Sequence, residues 1–350
     1  MSKRAAIARV TGSTRAQDAS AHPLLRSQAV SMLAQHLMEC IGSISGRRTK
    51  PSRSACAQLA VQVLVVAAGL RRAALVDALS LTVDQASAFG TRLAALSQLP
   101  ESYDLREVRL LFHAPTSQTF ILSRRQSLWT DVLSLTNNVS LHPRPEQVLW
   151  VDVRLTAEHQ LPSLSAPDTH GCHLIAAVHI SISEDDSGDM LVVSQSHSAH
   201  NNTLLHSRND AQLVGVALAG FLLEYGAIYC IHDLTSRFQA EQIRYEVRPF
   251  RSLEQAPIVA DFAASPTNCL GMQPLILFRV MWYQASDSQF ELLAFSIPQC
   301  FSSDEDTQHR RASLLKTFQA RASNVSASSI FASGQIAIDT SRVTLSQVAL

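Results

Sequence analysis

A change of hydrophobic period near residue 105 constrains this chain more than any other feature. Before it, apolar side chains recur at spacings near three and four: Leu24, Leu25, Val30, Leu33, Leu37 and Met38 between Pro23 and about Gly42, then the apolar run Ala55 to Leu70, closed by Gly69 and Arg71-Arg72. That spacing lines one face of a helix. Further helices are predicted from Ala73 to Leu81 and from Asp84 to Leu99, where Pro100 stops the pattern. After it the period falls to two, the mark of half-buried strands. Val108 to Phe112, Thr119 to Leu122, Asn138 to Leu141 and Gln147 to Thr156 read as strands, with a short helix at Ser127 to Thr136. His173 to Ser183 and Met190 to Ser196 predict a hairpin about the acidic turn Glu184 to Gly188.

The run Leu213 to Ile231 has the length of a membrane span. Glu224 lies inside it, however, and Gly226 divides it into a Leu/Ala-rich half and a β-branched, aromatic half. Helix, glycine stop, then strand is the expected order, with Asn209 or Asp210 as N-cap. Ala227 to His232 and Ile243 to Val247 follow as strands. Leu275 to Tyr283 and Phe290 to Ile297 form a hairpin across Ala285 to Ser288, and a hairpin needs other structure to pack on. Beyond Cys300 the expectation is a short helix near Leu314, then weak structure with a terminal strand at Gln335 to Ile338.

The fold class expected is therefore α+β. Its segments are a flexible basic arm at 1–22, a helical bundle at 23–105, a mixed α/β domain at 106–250, and a β-rich partner-binding region with a weakly structured tail at 251–350.

Formal charges cancel over the 350 residues, but they are segregated. Residues 1–72 hold Lys3, Arg4, Arg9, Arg15, Arg26, Arg47, Arg48, Lys50, Arg53, Arg71 and Arg72 against only Asp18 and Glu39, a balance of +9. Such a field points to an anionic partner, nucleic acid first. The basic loop Ser43 to Arg53, between two buried helices, is the part best placed to meet it. An Arg- and Ser-rich, acid-poor start also fits a mitochondrial transit peptide, although Asp18 and Thr11-Gly12-Ser13-Thr14 interrupt the amphipathic helix one needs. No apolar core of a secretory signal follows Lys3-Arg4.

Six scattered cysteines form no close pair of the kind zinc or redox motifs require. His197, His200 and His206 cluster in a polar stretch without acidic or thiol neighbours, which reads as a solvated loop. Asp152 with Asp189, and Cys230 with His232, lack a third orienting group. With no phosphate-cradling loop, nucleophile elbow or paired-histidine motif, neither an enzyme nor a cofactor is expected. Arg237, in the turn His232-Asp233-Leu234-Thr235-Ser236-Arg237-Phe238 after a buried strand, presents a planar fork of donors suited to phosphate.

Leu213-Val214-Gly215-Val216-Ala217-Leu218 followed by Asp233-Leu234-Thr235-Ser236-Arg237 resembles the centromere protein N family of the inner kinetochore in order and spacing. Asn138 to Leu141 leading to Val148-Leu149-Trp150-Val151, and Met190 to Ser196, are similar to its strands, so the resemblance spans roughly residues 127–250. It implies a pyrin-like helical domain, a mixed α/β domain and a basic groove that grips the centromeric nucleosome and its DNA. It also implies pairing with a centromere protein L homologue, contact with other inner kinetochore subunits, and a nuclear, centromeric location. Arg237 ends the motif as a DNA contact; Arg47, Arg48, Lys50, Arg53, Arg71 and Arg72 join it as candidate nucleic-acid ligands. Two alternatives stand beside this: a scaffolding subunit that does not touch DNA, and a mitochondrial matrix protein of another activity.

Overall fold

The first apolar periodicity becomes a layer of three helices. In the computed structural model, which describes residues 28–44, 52–77, 81–98, 104–130, 148–153, 162–164, 169–183, 190–197, 207–230, 243–249, 270, 272–284, 289–327 and 329–345, α1 runs Gln28–Ile44, α2 Arg53–Ala67 and α3 Val83–Leu96. In α1 the buried Val30, Leu33, Leu37 and Ile41 follow the three- and four-residue spacing. The Ser52 hydroxyl caps α2 by accepting from the Ala55 N–H, and α3 opens with a Thr82–Gln85 capping box.

These helices cover one face of a five-stranded sheet rather than standing apart. Its order is β1-β3-β2-β6-β8, from β1 (Ala73–Leu75), β2 (Val108–His113), β3 (Gln118–Ser123), β6 (Met190–His197) and β8 (Ile243–Pro249). All neighbours are antiparallel except β2 and β6, which are parallel. Alternation sorts the side chains: Leu110, Phe112, Ile121 and Val192 join the core of α1 to α3, whereas Leu111, Phe120, Leu191 and Val193 join a second core on the other face.

That second face is covered by α4 (Thr169–Ser183) and α5 (Ser207–Leu222). The hairpin expected from His173 to Ser196 is thus corrected to a helix followed by a strand. Leu174, Ile175, Val178 and Ile182 are buried at helical spacing, and the Ala176-Ala177 pair breaks any two-residue alternation. A second correction falls at Ala73 to Leu81. Instead of a helix, Ala73–Leu75 is an edge strand paired with β3, so the 23–105 segment contributes a strand to the sheet of the 106–250 segment.

A smaller sheet, β5-β4-β7, is built from β4 (Leu149–Asp152), β5 (Ser163–Leu164) and β7 (Ala227–Cys230), with β4 and β7 parallel. The third sheet, β10-β9-β11, holds the expected hairpin of β9 (Pro274–Tyr283) and β10 (Gln289–Pro298), plus β11 (Gln335–Thr344). The tail is more ordered than its composition suggested. Ser303 and Asp306 form a capping box that opens the 20-residue helix α6 (Asp304–Ser323), and β11 pairs with β9 along ten residues. Phe278, Phe295, Phe318 and Phe331 of this region belong to the same core as α1 to α3. The Tyr229 hydroxyl donates to the Ser296 carbonyl at 2.8 Å, tying β7 to β10.

Of the other sequence readings, 126–128 forms a single 3-10 turn where a helix was expected, and residues 131–147 lie outside the described residues.

Candidate functional site

Two helices end in the same kind of turn, and the turns meet. At the end of α2, Gly69 takes a left-handed φ of 75°, its N–H donates to Val66 O and the Leu70 N–H donates to Val65 O, which is a Schellman turn. At the end of α5 the same pair of bonds recurs, from Glu224 N–H to Phe221 O and from Tyr225 N–H to Gly220 O. There the left-handed residue is Glu224, at φ 62°, not the expected stop Gly226. A side chain at that position costs about 1 kcal/mol relative to glycine.

Arg321, near the end of α6, joins the two turns. Its Nη1 and Nη2 donate to the Glu224 carboxylate at 3.0 and 2.5 Å, and Nη1 also donates to the Leu70 carbonyl at 3.2 Å. The Arg72 backbone N–H donates to the same carboxylate at 2.8 Å. Burial by itself would raise the Glu224 pKa, yet the charges and hydrogen bonds of Arg321 and Arg72 hold it at about 2. The carboxylate is therefore ionised and fully engaged.

Arg72 is buried, 3% exposed. Its Nε donates to the Leu128 carbonyl at 2.8 Å, and its guanidinium carbon lies 5.2 Å from the Trp129 ring centroid and 4.7 Å from that of Phe221. A cation so enclosed between aromatic faces is a structural member of the core, which corrects its candidacy as a surface phosphate ligand. Arg71 has a different setting. It is half-buried, its Nε is sealed from solvent without a hydrogen-bond partner, and burial lowers its pKa against the smaller opposing effects of Tyr225 and Glu224. Tyr225 stacks on Phe295 at 6.1 Å between ring centroids, and burial raises its pKa.

Of the remaining cations, Arg53 is exposed at the first position of α2. Arg47, Arg48, Lys50 and Arg237 lie outside the described residues; among the described candidates, Arg71 and Arg72 sit at one junction. Cys230 is buried with its Sγ directed at the Val151 carbonyl, 3.4 Å away; Asp152 is buried at the end of β4; His232, Asp189, His200 and His206 lie outside the described residues. Among the described residues no group of three or more His, Cys, Asp or Glu is placed to hold a metal ion, and no helix is long and apolar enough to cross a membrane.

A second buried polar group lies at the carboxyl end of β2. His113 is fully buried, its Nδ1 is 2.7 Å from Thr116 Oγ1, and that hydroxyl donates to Gln118 Oε1 at 3.0 Å. Since the hydroxyl proton is committed to Gln118, the proton between His113 and Thr116 belongs to Nδ1. Burial pushes the His113 pKa down to about 3, so the ring is neutral. Gly215 of α5 makes room for this turn: a Cβ there would stand 2.7 Å from Thr116 Cγ2.

Sequence reasoning missed Glu224, Tyr225 and Arg321 as partners. The one signal was Glu224 itself, a lone carboxylate inside an apolar run, which calls for a buried cation.

No curated protein and no solved structure matches the chain. One family does, over residues 42–350, and that span includes every element described above except most of α1. The chain belongs to the family described as Domain of unknown function (DUF4504).

Proposed function

We propose that this protein is a non-enzymatic binding protein for a polyanion, nucleic acid being the partner its cationic segment fits. The observation that supports this reading is the entry to α2. Arg47, Arg48 and Lys50 lead in sequence to Arg53, which is exposed at the first helical position, and the first turn of α2 contains no acidic residue. Cations at a helix N-terminus oppose the helix dipole by roughly 0.3–1 kcal/mol each. A phosphate there offsets both the dipole and the cations.

The narrower form of the proposal follows the centromere protein N resemblance: an inner kinetochore subunit on centromeric chromatin that pairs with a centromere protein L homologue, with Arg237 as a further DNA contact. Arg72 is withdrawn from the contact set because the core encloses it.

The test is fluorescence anisotropy with a labelled DNA duplex over a range of salt concentrations. Binding should weaken steeply with salt, and replacing Arg47, Arg48, Lys50 and Arg53 by alanine should reduce the log–log slope by about 3–4. Arg237→Ala should reduce it by about one. Binding that ignores salt, or no binding at all, removes the proposal. DNA binding without capture of a centromere protein L homologue keeps the broad form and removes the kinetochore one.

A further inference from the structure

We propose that Ser313 is a phosphate-acceptor site for a basophilic protein kinase, and that the fold admits the kinase only when α6 leaves its seat. The run Arg310-Arg311-Ala312-Ser313-Leu314 sets two guanidinium groups two and three residues before a hydroxyl, with an apolar side chain directly after it. A guanidinium matches a carboxylate in a planar fork of two hydrogen bonds, so an acidic substrate groove with an apolar pocket recognises this spacing.

In the folded chain those same groups are engaged. Arg310 is buried, 6% exposed, and its Nη1 donates to the Gly226 carbonyl at 3.4 Å. Arg311 Nε donates to the Ile338 carbonyl of β11 at 2.9 Å. Ser313 is half-buried in the middle of the helix, and Leu314 packs against the larger core. A kinase takes its acceptor segment extended, with both arginines in its own groove, so the docked helix is closed to it. The helix is nonetheless lightly seated: only Arg310 and Phe318 of its 20 residues are buried, whereas α2 buries nine of its 15. Much of what remains is hydrogen bonding, above all that of Arg321 to Glu224. An element with few buried apolar contacts opens locally before the whole fold does.

In the open form Ser313 Oγ attacks the γ-phosphorus of ATP. The bond from that phosphorus to the β–γ bridging oxygen breaks, its electron pair leaves with ADP, and the hydroxyl proton passes to the aspartate base of the kinase. The phosphate adds a charge of about −1.5 to −2. Arg310 stands one helical turn before it, within reach of a side-chain pair. A charge-assisted bond to phosphate is stronger than the bond to the neutral Gly226 carbonyl, so the modified helix loses its buried anchor and stays undocked.

The DNA reading plays no part here, since the basic loop lies elsewhere in the chain. The experiment incubates the full chain with ATP and the catalytic subunit of the cyclic-AMP-dependent kinase, and follows phosphate on Ser313 by mass spectrometry. A synthetic peptide of residues 304–323 gives the rate of the open site. The intact protein should be modified more slowly than the peptide, by about tenfold or more. Arg321→Ala, which releases the end of α6, should raise the rate by about tenfold or more, because the rate follows the population of the open form. If Arg321→Ala does not fold, Glu224→Gln loosens the same contact. Gly215→Ala, which strains the packing of α5, should leave the rate unchanged. A peptide that takes no phosphate on Ser313 overturns the site. Equal rates for protein and peptide overturn the gate, as does a rate that Gly215→Ala raises as much as Arg321→Ala, since global unfolding would then expose the serine. Once Ser313 is modified, trypsin should cleave after the exposed Lys316, which the unmodified helix protects. Equal protection in both forms overturns the undocked state.

Discussion

Arg321 grips the carboxylate of Glu224, a residue 97 positions earlier, with both terminal nitrogens. That pair connects the last turn of α6 to the end of α5 and, through the Leu70 carbonyl, to the end of α2. Its side chains are 14% and 11% exposed, so the pair is screened little by solvent and its loss should be felt across the whole fold.

Removing one partner leaves the other as an uncompensated buried charge. Arg321→Ala should destabilise the protein by about 3–5 kcal/mol, and Glu224→Ala by a similar amount, measured from urea unfolding midpoints and slopes. The double variant Glu224→Gln with Arg321→Met should cost less than the two single changes added together, because neither leaves a charge stranded.

The left-handed backbone of Glu224 separates two contributions of that residue. Glu224→Ala loses the carboxylate and keeps the strain, whereas Glu224→Gly loses the carboxylate and relieves the strain. The glycine variant should therefore be more stable than the alanine variant by about 1 kcal/mol. Equal midpoints for the two would show that the turn relaxes without its side chain.

Acid should weaken the fold in two separable windows. His113 has its folded pKa depressed to about 3 from 6.5. The unfolded chain therefore binds a proton first, and stability falls as pH drops from about 6.5 towards 3, by on the order of 5 kcal/mol in full. Glu224, held at about 2 against 4.5, contributes stability that is present above 4.5 and lost as pH falls towards 2, by roughly 3 kcal/mol. Unfolding midpoints between pH 7 and 3 should thus flatten above pH 4.5 in His113→Asn, while Glu224→Gln lowers the midpoint throughout and removes only the Glu224 share of the fall below pH 4.5.

Gly215 tests the packing of α5 against the end of β2. Gly215→Ala sets a methyl 2.7 Å from Thr116 Cγ2 and 3.2 Å from His113 Cε1, so the Thr116 turn must shift. A loss of about 1–3 kcal/mol is expected from overpacking, even though alanine favours the helix. Adding Thr116→Ser removes the clashing methyl and should recover part of the loss.

The elements with one clean period were legible. The three-four spacing of Val30, Leu33 and Leu37 gave α1, and the alternating runs around Phe112, Ile121 and Phe278 gave strands, because each period decides which side chains can share a face. Where composition and period disagreed, composition misled. The β-branched run His173 to Ser183 is helical because Leu174, Ile175, Val178 and Ile182 reach one core only in that form, and Ala73–Leu75 is extended because β3 offers it an edge.

The candidate site divides along the same line. The sequence by itself determined that cations concentrate in residues 1–72, that Glu224 interrupts an apolar run, and that α2 begins beside a basic segment. Only the tertiary structure decided which of those charges are spent inside the fold. Arg72 is consumed between Trp129 and Phe221, and Glu224 is matched by Arg321 from a helix that begins 80 residues later. Arg71 stays half-buried, its Nε without a hydrogen-bond partner among the described residues. The physical reason is that a charge has the same formal value wherever it lies in a sequence. Its energy, and hence its availability to a partner, depends on the dielectric and the donors that distant segments bring to it.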